Sequence, residues 1–304
     1  MREAAFSLIE LMVTVALLTF IVLGLLAMFA QTRRAFTSTM TQTDVLESGR
    51  AVMDMLARDL EQMTPSEAPP LNVNNVAYLS TNFFAEIDPN FTKPLYQALP
   101  GSNNRRSNVV QRFFFLTQAN QVWTGTGYQV LLDDPSAGKV GTLFRASATN
   151  VSRAGAAGLS GYFRDAFGPK LVLTNLNRIA DGIVHLRVRP FATNGYPLTL
   201  APQLTGPQFQ LLPGPNPLYA GVRNTFAYWN VNLPDQIDSY FFSNAVPAYV
   251  EVELGIMEPR IVERYRSMSG NPAAQIEYLS NHVGQVHLFR QRISVRNVNF
   301  AAYQ

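Results

Sequence analysis

The stretch Phe6-Ser-Leu-Ile-Glu10-Leu-Met-Val-Thr-Val-Ala-Leu-Leu-Thr-Phe20 begins an apolar run that continues to Ala30. Glu10 is the only formally charged residue in this run. As a helix, the part from Leu11 to Ala30 would be roughly 30 Å long, which matches the hydrocarbon thickness of a bilayer. The sequence therefore predicts a helix that crosses a membrane or packs among similar helices.

The carboxylate of Glu10 separates this run from an ordinary signal peptide or signal anchor. A cleaved signal peptide needs small residues at a site after the apolar core, and Leu26-Ala27-Met28 and Met28-Phe29-Ala30 fit that need poorly. Neither a signal peptide nor a signal anchor explains the carboxylate of Glu10 inside the run, because burying an unpaired carboxylate in lipid costs several kcal/mol. The sequence therefore predicts a cationic partner for Glu10.

The residues Phe6-Ser7-Leu8-Ile9-Glu10-Leu11-Met12-Val13 resemble the class III signal of type IV pilins and of the pseudopilins of type II secretion. The resemblance implies that a prepilin peptidase cleaves between Ala5 and Phe6 and methylates the new amino group of Phe6. It also implies that Glu10 pairs with the amino group of Phe6 on a neighbouring subunit during assembly. The family usually has Gly before the cut, so Ala5 implies slower or partial processing.

The helical pattern continues beyond the apolar run and ends near Pro65. Polar residues occupy the faces between apolar positions spaced by three and four, which predicts one helix of roughly 87 Å from Phe6 to about Met63. Its apolar stripe comprises Phe36, Met40, Thr43, Leu46, Met53, Leu56, Leu60 and Met63. Gly49 is a candidate position for a bend. The stripe from Met53 to Met63 is interpreted as core packing against a sheet.

Beyond Pro70 the hydrophobic period changes to two, which indicates a β-rich body. The expected strands are 109–117, 128–132, 140–145, 170–174, 183–189, 248–254 and 286–295. We expect a loop at 147–170, a proline-rich surface insertion at 194–225 and a short helix at 272–279. Alternation also predicts that Glu251 and Glu253 point outward from a half-exposed strand. The predicted fold class is α+β, with a long N-terminal helix packed on antiparallel sheet.

Composition and motif searches give no sign of an active site. The chain has no cysteine and three histidines, His185, His282 and His287, none in a metal-binding spacing. Asp133-Asp134 is read as a turn. We expect no catalytic residue, metal, cofactor or small-molecule substrate. Basic and aromatic residues around Phe113 to Phe115 raise DNA binding as an alternative, but the strand pattern places these rings in the core.

The resemblance implies a non-enzymatic minor pilin or pseudopilin with four parts, a leader (1–5), a membrane and assembly helix (6–30), its amphipathic continuation (31–64) and a β-rich periplasmic body (65–304). The helical stretch 50–60 and the stretch 179–191 are similar to those of J-type pseudopilins, which implies a place near the tip of a secretion pseudopilus. Expected partners are the prepilin peptidase, other pilins or pseudopilins and the inner membrane. Arg33 and Arg34 argue for the opposite orientation by charge alone. A type IV pilus subunit for DNA uptake or adhesion and an anchored periplasmic domain remain alternatives.

Overall fold

The computed structural model describes residues 7–68, 81–88, 91, 94–99, 101, 103–133, 139–167, 176–195, 225–230 and 233–303. They fall into two units, Met1–Leu46 and Glu47–Gln304. The predicted strand at 170–174 and most of the proline-rich insertion lie outside the described residues, as do Ala5 and Phe6.

Helix α1 spans Leu8–Glu61 and ends shortly before Pro65, as the sequence predicts. Side chains from Leu8 to Phe36 are exposed. Among the described residues, α1 is the one helix long and apolar enough to cross a membrane. The prediction of a long apolar N-terminal helix is therefore confirmed.

The body contains a nine-stranded antiparallel sheet, which confirms the α+β class. Its spatial order is β11-β10-β7-β6-β5-β4-β1-β9-β8. A separate two-stranded sheet pairs β2 with β3. The strands are β1 Thr81–Ile87, β2 Leu95–Ala98, β3 Arg105–Asn108, β4 Gln111–Ala119, β5 Val122–Leu132, β6 Gly141–Asn150, β7 Asn177–Phe191, β8 Thr225–Asn230, β9 Leu233–Phe242, β10 Tyr249–Met257 and β11 Val286–Ser294.

The described part of the body contains three further helices, α2 Arg153–Ala166, α3 Pro259–Ser267 and α4 Pro272–Asn281. Short 3-10 turns occupy Val283–Gln285 and Phe300–Tyr303. The α4 segment confirms the short helix expected at 272–279. Helix α4 lies against β2, and together with α3 it covers an apolar cluster that includes Val184, Met257 and Tyr265.

The apolar stripe of α1 is buried only in its later part. Met53, Leu56, Leu60 and Met63 are at most 4% exposed, which confirms their interpretation as core residues. By contrast, Phe36 and Met40, earlier in the same stripe, are 66% and 65% exposed. Spacing alone cannot distinguish the two groups, because an apolar side chain is buried only where another element packs on the helix.

Gly49 provides a close approach between α1 and the sheet. A Cβ atom at Gly49 would overlap the ring of Phe289 on β11. The ring therefore occupies the space that any other residue would fill with its side chain. This packing role was not predicted, since the sequence suggested only a bend at this glycine.

The prediction of a loop over residues 147–170 was wrong. β6 continues to Asn150, and Ser152 begins α2 by accepting a hydrogen bond at its Oγ from the Gly155 N–H, at 2.9 Å. Leu159, Phe163 and Phe167 then recur every four residues and are buried in one cluster. The glycines and alanines of this segment concealed the pattern, because they make its average composition resemble a loop.

Candidate functional site

The first turn of α1 places Glu10 and Ser7 in mutual contact. The Ser7 N–H donates to Oε2 of Glu10 at 3.0 Å, and the Glu10 N–H contacts Oγ of Ser7 at 3.3 Å. This reciprocal arrangement is a capping box, in which two backbone donors at a helix start are satisfied by side chains. The spacing Ser-x-x-Glu is the sequence signature of this arrangement, which was not predicted.

The capping box turns the carboxylate of Glu10 toward the beginning of the helix. Glu10 is exposed, and so are the apolar side chains that follow it, such as Leu11 and Met12. The negative charge also lies in the first turn, where the helix dipole favours it. In a medium without water, a carboxylate in this position would attract a cationic group strongly, because the low dielectric constant amplifies the attraction.

A buried carboxylate in the body is held by two arginines. Glu86 on β1 contacts Arg112 on β4 at 2.6 Å and Arg164 on α2 at 3.0 Å, and the Tyr240 hydroxyl donates to it. Burial disfavours the charged form of Glu86, but Arg164 and Arg112 outweigh it and lower its pKa below the usual value. The guanidinium of Arg164 also lies 4.3 Å from the ring centre of Phe84. This cluster joins α2 to the sheet.

A second cluster joins the later part of α1 to the sheet. Asp59 accepts hydrogen bonds from the Tyr128 hydroxyl at 2.7 Å and from Nε of Arg145 at 3.0 Å. Burial and the carboxylate of Asp59 raise the pKa of Tyr128 well above its usual value. The tyrosine therefore remains a hydrogen-bond donor, and the cluster acts as a structural anchor.

The prediction that Glu251 and Glu253 face solvent was wrong. Both are at most 9% exposed, because β10 lies between β7 and β11 and arginines from both neighbours cover its carboxylates. The resulting ion pairs join Glu253 to Arg189 at 3.3 Å and to Arg290 at 3.4 Å, and Glu251 to Arg290 at 2.9 Å. Hydrogen bonding from His185 and the nearby arginines lower the pKa of Glu253 to about 2, although burial opposes this.

His185 contributes to the same cluster. Its Nδ1 accepts the Val109 N–H at 3.1 Å, so the neutral ring carries its proton on Nε2, which lies 3.4 Å from Glu253. Burial lowers the pKa of His185, and Glu253 only partly offsets that effect. The ring thus bridges β7, β10 and the segment before β4.

A cavity of about 550 Å³ opens beside α3, where Arg266 bridges two carboxylates. Arg266 contacts Asp133 at 2.9 Å and Asp181 at 2.6 Å. Burial would raise the pKa of Asp181, but hydrogen bonds from Arg266 lower it to about 2. Asp133 therefore forms an ion pair with Arg266, and this partner could not be identified from the sequence.

The remaining histidines have local partners. His282 lies 2.6 Å from the Tyr278 carbonyl, and His287 lies 3.3 Å from Glu258. Within the described ranges, no group of three or more His, Asp or Glu residues could hold a metal ion. The rings of Phe113, Phe114 and Phe115 are at most 1% exposed, so they offer no surface for base stacking. Their placement in the core is confirmed.

Comparison with known proteins gave no match to a family model, to a curated protein or to a solved structure.

Proposed function

We propose that this chain is a membrane-anchored subunit of a pilin-like fibre, with Glu10 as its assembly residue. The observation that supports this most directly is the position of Glu10, an exposed carboxylate in the first turn of a helix that has no other charged residue as far as Ala30. The capping box orients it toward the start of the chain, where processing at Ala5 would create the free amino group of Phe6. An amino group and a carboxylate that are costly alone in lipid stabilise each other as a pair.

The mechanism is processing followed by extraction from the membrane. The prepilin peptidase removes residues 1–5 and methylates Phe6 while the apolar part of α1 anchors the chain. Glu10 then pairs with the amino group of Phe6 on a neighbouring subunit, and the helix enters a bundle with other pilins or pseudopilins. The body acts in the periplasm as a rigid surface of the fibre, and no catalytic step is required of it.

Within this class we propose a J-type pseudopilin of type II secretion, near the tip of the pseudopilus. The supporting features are a body much larger than the helix and the stretch Ile179–Phe191, which forms most of β7. The long strand joins β6 on one side and β10 on the other, so it organises the body.

The decisive experiment for processing is mass spectrometry of the N-terminus of the chain isolated from membranes. N-methyl-Phe6 is the expected terminus. An intact Met1 in cells that process their other prepilins would reject the proposal and leave an anchored domain. An Ala5→Gly variant serves as the matched control, because it should be processed at least as completely.

A further inference from the structure

The cavity beside α3 brings together residues from three strands and a helix. Asp133 directly follows β5, Thr142 and Phe144 belong to β6, Arg178 belongs to β7, and Arg266 is on α3. The volume of about 550 Å³ falls within the range of about 300–1,000 Å³ that is typical of small-molecule sites. The proposed assembly mechanism makes no use of this cavity.

The charged groups at the cavity balance one another. Asp181 accepts hydrogen bonds from Nη1 of Arg266 at 3.0 Å and from Nη2 of Arg178 at 2.9 Å. Asp133 accepts one from Nε of Arg266 at 2.9 Å. Because the pKa of Asp181 is about 2, its carboxylate stays ionised at neutral pH. Two guanidinium groups thus lie against two carboxylates, so these groups give an ionic ligand little net attraction.

The ion pairs leave hydrogen-bonding positions open at the cavity. Among the described residues, Oδ1 of Asp133 has no donor, and Nε and Nη1 of Arg178 have no acceptor. Nη1 and Nη2 of Arg266 each carry a second N–H group. Thr142 donates its hydroxyl to Asp181 at 3.0 Å, so its oxygen can accept from a ligand. A ligand that both donates and accepts hydrogen bonds is therefore favoured.

A ring and a buried amide complete the lining. Phe144 is half-buried and offers an apolar surface beside the polar groups. Gln275, from α4, is 1% exposed and donates through Nε2 to the Tyr265 carbonyl at 3.2 Å. Its Oε1 has no hydrogen-bond partner within the described part of the chain. A buried acceptor left in this way costs free energy, which a bound donor would offset.

We propose that this cavity binds a neutral saccharide. A sugar carries no charge, and each of its hydroxyls can donate and accept at once. Neighbouring hydroxyls can therefore donate to Asp133 and accept from Arg178 and Arg266 without breaking the ion pairs. The apolar face of a sugar ring fits against Phe144. A phosphate or carboxylate ligand, by contrast, would compete with Asp133 and Asp181 for the guanidinium groups. The site goes beyond the proposed function and does not depend on it.

Isothermal titration calorimetry of the full-length chain tests the proposal, in a detergent that has no sugar headgroup. The probes are cellobiose, maltose and di-N-acetylchitobiose. We expect at least one to bind with a Kd between about 10 μM and 1 mM. Preference for di-N-acetylchitobiose would indicate an aminosugar glycan, and preference for cellobiose or maltose would indicate a glucan. The Kd should be almost independent of salt concentration, because the ligand is uncharged.

Three variants locate the binding. Arg178→Gln should raise the Kd at least about tenfold, since it removes charged donors, and its side chain is 63% exposed, so the fold should be kept. Ser269→Phe should abolish binding, because this exposed residue lines the cavity and the added ring fills it without changing a charge. Arg264→Gln is the matched control, an exposed arginine of α3 outside the lining, and should leave the Kd unchanged. Thermal unfolding verifies that each variant is folded.

Several results would overturn the inference. One is the absence of heat from all three disaccharides at concentrations up to about 10 mM. Another is sugar binding that Arg178→Gln and Ser269→Phe leave unchanged, which would place the sugar elsewhere. Binding of sodium phosphate or of the zwitterion glycylglycine, without binding of a disaccharide, would assign the cavity to an ionic ligand. Each of these results leaves the proposed function intact, because N-terminal processing and fibre assembly are measured separately.

Discussion

The ring of Phe163 on α2 occupies the space beside Gly127 on β5, where a Cβ atom would overlap the ring. Phe163 is only 2% exposed and is surrounded by Phe84, Phe114 and Phe167. The ring therefore cannot move aside easily, and the glycine defines where α2 lies on the sheet.

Gly127→Ala should lower the free energy of unfolding by about 1 to 3 kcal/mol, because the added methyl group forces a shift in a packed core. Urea denaturation of the detergent-solubilised chain, followed by fluorescence of the buried Trp123, measures this change. Gly158→Ala is the control, since no atom lies within 4 Å of its added Cβ. That variant should be neutral or more stable by up to about 1 kcal/mol, and equal losses in both would contradict the account of α2.

Glu86→Gln should destabilise the body by about 3 to 5 kcal/mol, because it leaves the buried charges of Arg112 and Arg164 without their carboxylate. The exposed pair of Arg153 and Glu67, at 3.4 Å, supplies the comparison. Arg153→Gln should change stability by less than about 1 kcal/mol. Thermal unfolding of the unmodified chain and of both variants in the same detergent compares their stabilities. A Glu86→Gln variant as stable as Arg153→Gln would show that the Glu86 cluster contributes nothing to stability.

The free energy of unfolding should fall in acid, because protonation of Glu253 removes its ion pairs with the arginines around it. Because the folded pKa of Glu253 is about 2 and its usual value is 4.5, its contribution is present above pH 4.5 and is lost as the pH falls toward 2. Urea denaturation at a series of pH values measures the slope. Glu253→Gln should reduce the slope between pH 4.5 and 2, whereas an unchanged slope would assign the acid sensitivity to other carboxylates such as Glu86 and Asp181.

The sequence predicts some parts of this fold well because their signals are local. The spacing of Met53, Leu56, Leu60 and Met63 identifies the buried side of α1 directly. The alternation around Val184, Leu186 and Val188 identifies the buried face of β7, and all three are at most 1% exposed. Such patterns need no knowledge of which elements become neighbours.

Other features depend on pairings between residues distant in the chain. Glu251 and Glu253 look like surface residues until β7 and β11 bring arginines over them. Glu86 meets Arg112 because β1 and β4 pair in one register, and Arg164 joins from a helix that the sequence did not reveal. Glu10 differs from these residues, because the pilin-like motif that predicts its role and its Ser-x-x-Glu contact with Ser7 are both local in the sequence.

Ser7→Ala separates capping from assembly. It removes the side-chain half of the capping box and should weaken the first helical turn by about 1 kcal/mol. The charge of Glu10 remains, so incorporation into fibres should persist. Immunoblotting of sheared fibre fractions measures incorporation, and a complete loss would show that the cap itself is essential.

The proposed function requires that the negative charge of Glu10 drives assembly. Glu10→Gln tests it most directly, because glutamine can also complete the capping box and therefore removes the charge while keeping the local structure. The measurement is the amount of this variant in sheared fibres relative to the amount in membranes, with N-methyl-Phe6 verified by mass spectrometry. We expect a processed chain that stays in the membrane and is depleted from fibres. Incorporation equal to that of the unmodified chain would contradict it.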